Sequence, residues 1–318
     1  MTYSPGQLIL ADDFTAFRGS IAPSSPYPSL VNAANKVAAL VGVGYGNRGY
    51  GQTSTPLTGV SVGDVVTAST WNSLFSAMGL INTHTGSALT LPANVLAGNA
   101  IQALNGSSGR PDLSTLITTL DSNRALYAIG QMALTSQLSS ARTSSWTTQV
   151  THEFTVTFPT EDGARYFFNT GGQVYAAASR TGGTSSAINN AMTVMLSNMG
   201  TIKVGSSATT YTGTGGTVYP IGYYGLTGSY QTLFVHTGGS YSYSYGYSNI
   251  SYTLRARAEN VLGVNGANGS RIRFQAVFAT GVSYSYTLDG TLTSSISQLK
   301  AGGVLTVASP IYATTTPL

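Results

Sequence analysis

Gly44-Tyr45-Gly46-Asn47-Arg48-Gly49 satisfies the pattern G-x-G-x-x-G, and Asp64 lies twenty residues beyond its first glycine. Where such a run leaves a strand and opens a helix, its backbone cradles a pyrophosphate and the acid takes a ribose hydroxyl. Here a helix-patterned segment precedes the run and GYGQTSTP follows it, so an irregular, closely packed loop is expected and no nucleotide site. Two adjacent carboxylate pairs, Asp12/Asp13 and Glu161/Asp162, are the nearest approach in sequence to the paired acids of a glycosidase. Glu161-Asp162-Gly163 follows Pro159 between two strand-patterned stretches and is expected to be a turn. His84, His152 and His236 fall in separate segments without the spacing of a metal motif, and the chain has no Cys. No acyl-transfer serine is expected. Neither a catalytic residue, a cofactor nor a metal is assigned, and the chain is expected not to be an enzyme.

The aromatic pattern is more distinctive. Ten of the 20 tyrosines fall between Tyr211 and Tyr252, among Gly, Ser and Thr, and Tyr241, Tyr243, Tyr245 and Tyr247 recur at period two. On a strand those four rings share one face. Tyr with Ser and Gly is also the chemistry of binding loops, where the ring gives wide amphipathic contact at low entropic cost. Tyr223, Tyr224, Tyr230, Tyr241, Tyr243, Tyr245 and Tyr247 are therefore the candidate contacts, either for a cell-surface glycan or for a neighbouring subunit. Arg165 in ARYFFN and Arg180 in ASRTGG stand in charge-poor surroundings. Burying a guanidinium unpaired is costly, so each is expected to pair; Glu153, Glu161 and Asp162 are the nearest acids in sequence.

Composition narrows the function classes. Only 8% of the 318 residues are charged, against about a quarter in an ordinary soluble domain. No run approaches the roughly 20 apolar residues that span a bilayer, so no membrane insertion is expected. The N-terminal MTYSPGQLILADDF lacks the basic head and apolar core of a signal peptide. A net charge of +4 without clustered lysines gives no nucleic-acid footprint. With 42% apolar residues there is material for a core. Charge is missing in two blocks, Val65–Gly109 and Val204–Leu254, and little repulsion keeps copies of such a chain apart. This is the composition of a subunit inside a large assembly or of an adhesive protein.

The elements that must position these residues change character along the chain. Ser29–Val41, with Ser29 as N-cap, and Ser69–His84, with Trp71, Leu74, Phe75, Met78 and Ile81 on one stripe, predict helices. A third is predicted from Asp112 to Arg142, with Leu113, Leu116, Leu120, Tyr127 and Leu134 as a heptad-like oligomer seam broken by Asn123, Gly130 and Gln137. From Trp146 the period becomes two, in THEFTVTF, SYTLRARAE and RIRFQAVF, with NGANG as the turn of a hairpin between the last two and VSYSYTLDGTLT beyond. Ser186–Met199 interrupts with a helical stripe. The fold class expected is α+β: a helical, loop-rich anchoring and oligomerisation region over 1–145, then an antiparallel, jelly-roll-like β-sandwich over 146–318 carrying a Tyr/Gly/Ser-rich insertion near 205–248.

Thr151–Gly183 (THEFTVTFPTEDGARYFFNTGGQVYAAASRTGG), with the following NNAMTVMLSNMGTIKVG, resembles a module of virion structural proteins of tailed bacteriophages of the contractile-tailed type. GVGYGNRGYGQ and VTASTWNSLFSAMGLINTHTG are similar too, so the resemblance spans most of residues 30–205. It implies a place in the virion, after assembly in the host cytoplasm, as a tail or neck fibre subunit that anchors through its N-terminal helices and projects its β domain. It implies a homo-oligomer, expected to be a trimer, whose partners are other tail, baseplate or neck proteins. The alternative is a receptor-binding adhesin that grips host-surface polysaccharide through the Tyr-rich region. No catalytic residue comes with the resemblance.

Overall fold

A computed structural model describes residues 33–52, 67–96, 113–238, 249–259, 263, 265–281 and 287–315. The chain divides into two units, one of Met1–Met132 with Ala301–Val307, the other of Ala133–Lys300 with Ala308–Leu318. The boundary thus falls at residue 132 and not near 145, because the segment beyond it is already a strand, and a short stretch from near the C-terminus belongs to the first unit.

In the first unit, α1 (Ala33–Val41), α2 (Ala68–Thr85) and α3 (Leu113–Ser122) share one apolar cluster. Thr67 caps α2 by accepting from the Thr70 N–H, and Gly86 at φ +68° ends it in the left-handed conformation that glycine adopts without strain. The expected stripe Trp71, Leu74, Phe75, Met78 and Ile81 is buried, as are Val37 and Leu40 of α1 and Leu305 of the returning segment. The proposed cap Ser29 lies outside the described residues. The glycine run after α1 is the packed loop its flanks predict: Arg48 forks onto Asp121 of α3 with both N···O distances 3.0 Å, and Tyr50 donates to the Arg124 carbonyl at 2.7 Å. Gly49 sits at φ +106° with a Cβ position overlapping the Val43 carbonyl, whereas Gly46, at φ +52°, has open space there. Gly49→Ala is expected to lower stability by about 2–3 kcal/mol and Gly46→Ala by only about 1; equal losses in chemical unfolding would contradict this packing.

The long third helix is corrected. α3 stops at Ser122, where Asp121-Ser122-Asn123 offers side chains that compete for the backbone; Ser122 bonds back to the Thr118 carbonyl and Asn123 donates to Ser87 Oγ. A short 3-10 turn at Ile129–Gln131 follows, and then strand β1 (Met132–Arg142). The heptad seam therefore does not exist as one helix. Leu113, Leu116 and Leu120 are spent in the first unit's core, Tyr127 lies beyond the helix, and Leu134 stands on β1.

The second unit holds two antiparallel sheets in a sandwich-like arrangement. The strands after β1 are β2 (Gln149–Thr157), β3 (Gln173–Thr181), β4 (Ile202–Val204), β5 (Thr209–Tyr211), β6 (Gly216–Val218), β7 (Gln231–Thr237), β8 (Ser251–Glu259), β9 (Arg271–Ala279), β10 (Thr291–Ala301) and β11 (Ile311–Thr315). One sheet runs β1-β10-β3-β4-β5, the other β11-β2-β9-β8-β7-β6. The expected alternations hold: Phe154 and Val156 on β2, Tyr252, Leu254 and Ala256 on β8, and Ile272, Phe274, Ala276 and Phe278 on β9 are buried. β8 and β9 pair as the predicted hairpin, from Ser251↔Ala279 to Glu259↔Arg271.

Two helices complete this unit, α4 (Glu161–Asn169) and α5 (Ala187–Met199). α5 is capped by Ser186 and buries Met192, Met195, Leu196 and Met199, as its stripe predicts. Glu161-Asp162-Gly163 is not a turn between strands but the first turn of α4, begun by Thr160, whose hydroxyl accepts from the Gly163 N–H at 2.9 Å. Both acids sit at the positive end of the helix dipole. The face that α4 buries carries Phe167 and Phe168, which meet Phe158 at 5.3 and 5.8 Å between centroids.

Candidate functional site

Among the described residues, the outward face of β2, β9 and β8 gathers the densest charge. Register does the gathering: Glu153 lies opposite Gln275, Gln275 opposite Arg255, Arg273 opposite Arg257, and Arg271 opposite Glu259. Glu153 accepts from Arg273 at 2.8 Å, from Tyr230 Oη at 2.9 Å and from Gln275 at 3.1 Å. Glu259 takes Arg257 at 2.7 Å and Arg273 Nε at 2.8 Å, with Arg271 at 3.7 Å. The Arg257 guanidinium lies 4.8 Å from the centroid of the Tyr230 ring. Three guanidiniums, of Arg257, Arg271 and Arg273, thus meet two carboxylates, and Arg255 on the same face is exposed.

The electrostatics of this platform argue for holding and not for proton transfer. Burial alone would raise the Glu153 carboxyl, but hydrogen bonds from Gln275 and Tyr230 and the Arg273 charge outweigh it and hold it below the ordinary range. A general acid at neutral pH needs the opposite shift. Tyr230 is pushed up, by burial first and then by its bond to Glu153, so its hydroxyl stays a donor.

Two other candidates are engaged in packing around α4. Tyr223, expected as a contact, is fully buried: its ring stacks on Phe168 at 4.5 Å, its hydroxyl donates to the Gly269 carbonyl at 2.9 Å and accepts from the Asn268 N–H at 2.8 Å. Tyr224 donates to Asn169 Oδ1 at 2.8 Å and packs edge-on against Tyr223. Tyr223 is corrected from a surface contact to part of the core around α4, drawn inward by the aromatic cluster, while Tyr224 is half-buried beside it. Of the candidate tyrosines within the described residues, Tyr230 alone is on the platform. Tyr241, Tyr243, Tyr245 and Tyr247 lie outside the described residues.

Both arginines are paired. Arg165, with no exposed side-chain surface, meets Asp162 at 2.9 Å, and Asn265 donates to the other oxygen of that carboxylate at 2.7 Å. Arg180 pairs with Asp289 at 3.2 Å, an acid 109 residues away and not one of its sequence neighbours. Asp289 also takes the Thr184 N–H, a bond that leads the causes lowering its pKa. Because Arg165 is buried and Asp162 is 29% exposed, the two truncations are unequal. Asp162→Ala takes a carboxylate away from a buried cation and is expected to cost about 2 kcal/mol, more than Arg165→Met, which leaves an acid that water reaches. Equal losses in urea unfolding would contradict the asymmetry.

The three histidines do not converge. His84 sits edge-on to Tyr50 in the first unit, His152 bonds Ser294 Oγ at 2.9 Å, and His236 places its ring nitrogens at the Thr214 and Thr237 carbonyls. Among the described residues no three His, Asp or Glu gather as a metal site, and no helix is long and apolar enough to cross a membrane. One pattern escapes the expectation of no acyl-transfer serine: Gly59-Val60-Ser61-Val62-Gly63 matches G-x-S-x-G, the nucleophile elbow, and lies outside the described residues. The signal was present in the letters. Comparison with protein-family models, curated proteins and solved structures returns no match.

Proposed function

We propose that this chain is a structural subunit of a tailed-phage virion, a tail or neck fibre component that associates with copies of itself and with other tail, baseplate or neck proteins. The observation that carries the reading is how the second unit spends its reactive groups. Arg180, His152, His236 and Glu153 are each tied into bonds that hold elements together, three of them between segments more than a hundred residues apart, and Arg165 is paired within α4. Such a unit keeps a shape under load. The resemblance of Thr151–Gly183 to virion modules supports the same reading, as does a surface of Ser, Thr, Asn and Tyr with little charge to repel a copy. In this account the helical region serves attachment and the sandwich is the part displayed. Its chemistry is mechanical.

The test is location. Immunogold labelling with an antibody to residues 133–315, applied to purified tailed particles from the host that makes this chain, is expected to mark the tail or neck. Signal confined to the soluble fraction of the lysate, with bare particles, would contradict the proposal.

A further inference from the structure

The two sides of the sandwich are finished differently. On one side the sheets end in β5 and β6, three residues each, with Tyr211 of β5 donating to the Gly216 carbonyl of β6 at 3.0 Å and packing on Phe234 at 5.0 Å. Edges this short offer little to pair with, which is how sheet proteins blunt them. On the other side the five-stranded sheet ends in β1, eleven residues long. Beside it runs β11, the edge of the second sheet. A polar chain joins them: Tyr312 of β11 donates to Gln298 of β10 at 3.0 Å, and Gln298 donates to Thr135 of β1 at 3.3 Å.

Apart from Arg142 at its end, β1 lacks the usual charged, Pro and Gly defences. From Met132 to Ala141 it has no charged residue, no Pro and no Gly. Among the described residues β10 pairs with one side of it and no strand with the other. Ala133, Leu134, Thr135 and Ser136 are all exposed, with Leu134 at 59%, and Ile311 on the neighbouring edge is at 73%. Over Ala133–Ser136 both faces of the strand meet water as well as its edge, whereas Ser140 toward its end is buried. About five of its residues turn backbone N–H and C=O groups outward, since these alternate along an antiparallel edge.

From this we infer that β1 is the self-association edge of the chain, pairing antiparallel with β1 of a second copy about a two-fold axis and so continuing the five-stranded sheet across the pair. A second copy is the fitting occupant for two reasons. An antiparallel strand is complementary to itself in its backbone bonds, so an isologous contact closes without a second patch. And the uncharged stretch Met132–Ala141 meets its own copy with no like charges opposed, the one charge of the strand, Arg142, standing at its end. Leu134, exposed on the outer face of β1, then packs beside the partner strand and leaves water. A contact at β1 deepens the assembly reading and rests only on its claim that copies associate. It stands where the helical seam cannot be.

The test uses the full chain. Sedimentation velocity at micromolar concentration is expected to show a dimer or a higher species built on it, and Leu134→Lys/Ser136→Lys to raise the dissociation constant by roughly tenfold or more with an unchanged circular dichroism melt. Because the chain has no Cys, Gln137→Cys gives a second measurement: oxidation is expected to link two copies, while Thr217→Cys on the short edge stays unlinked. A monomer at all concentrations overturns the inference. So does an oligomer that the lysines leave intact and that Gln137→Cys fails to crosslink, in which case the virion reading, judged by particle labelling, still stands on its own.

Discussion

Phe168→Ala is expected to lower the stability of the second unit by about 4 kcal/mol. The ring is buried between three others: Tyr223 stacked at 4.5 Å, Phe167 edge-on at 5.0 Å and Phe158 tilted at 5.8 Å. Part of the loss is the transfer of the phenyl group to water, and part is the cavity left behind. That cavity cannot collapse. Tyr223 is pinned by its hydroxyl to the Gly269 carbonyl and the Asn268 N–H, and Asn268 in turn donates to the Tyr223 and Leu226 carbonyls. Phe158 is fixed at the end of β2 by its own N–H to the Ser270 carbonyl. Phe168→Leu keeps most of the volume and is expected to cost about 1–2 kcal/mol. Urea unfolding read at constant slope measures both. An alanine loss under about 1 kcal/mol would mean the cluster around α4 is not the joint described.

The second large effect is a fall in stability on mild acidification. His152 is buried in the sandwich and bonded through Nδ1 to Ser294, so the contact joins β2 to β10 across the two sheets. Its Nε2 has no partner among the described residues, and the ring packs edge-on to Phe278 at 5.5 Å. Burial, with the Arg142 charge adding to it, lowers its pKa from 6.5 to about 4. The unfolded chain therefore binds a proton that the folded chain refuses. This contribution is complete above pH 6.5, falls as pH drops toward 4, and levels below that, a total loss of about 3 kcal/mol. His152→Gln is expected to flatten that window. Glu153 and Asp289, whose pKa values are lowered, act further down, through the acid range of carboxylates. An identical pH profile in wild type and His152→Gln between pH 6.5 and 4 would refute the assignment.

Much of this fold was legible because hydrophobic period reports burial directly. β2, β8 and β9 carry aromatic and branched residues at period two, and α2 and α5 carry apolar stripes behind Thr67 and Ser186 caps. α4 was hidden by its own composition. EDGARYFFN is rich in aromatics and has a glycine in its first turn, so it resembles a turn entering a strand; the available signal was Thr160 followed by two acids, a cap and a dipole partner. β1 failed in the opposite sense. Leu134 and Leu138 are spaced as on a helix, and only pairing with β10, far along the chain, makes the segment a strand. The charged platform was half visible. The alternation of Arg271, Arg273 and Gln275 predicts a polar face, but the ion pair of Arg273 with Glu153 spans 120 residues and depends on register, which no local pattern carries. Tyr223 misled because composition marks a tyrosine as a contact without saying whether the contact is internal.

As proposed, this chain is displayed as a repeated building part of a tailed particle. The most direct measurement is a density map of purified virions by electron cryomicroscopy. Copies of the two-sheet unit are expected on the tail or neck, neighbours meeting at β1. A complete map with every tail and neck density assigned to other chains would contradict it.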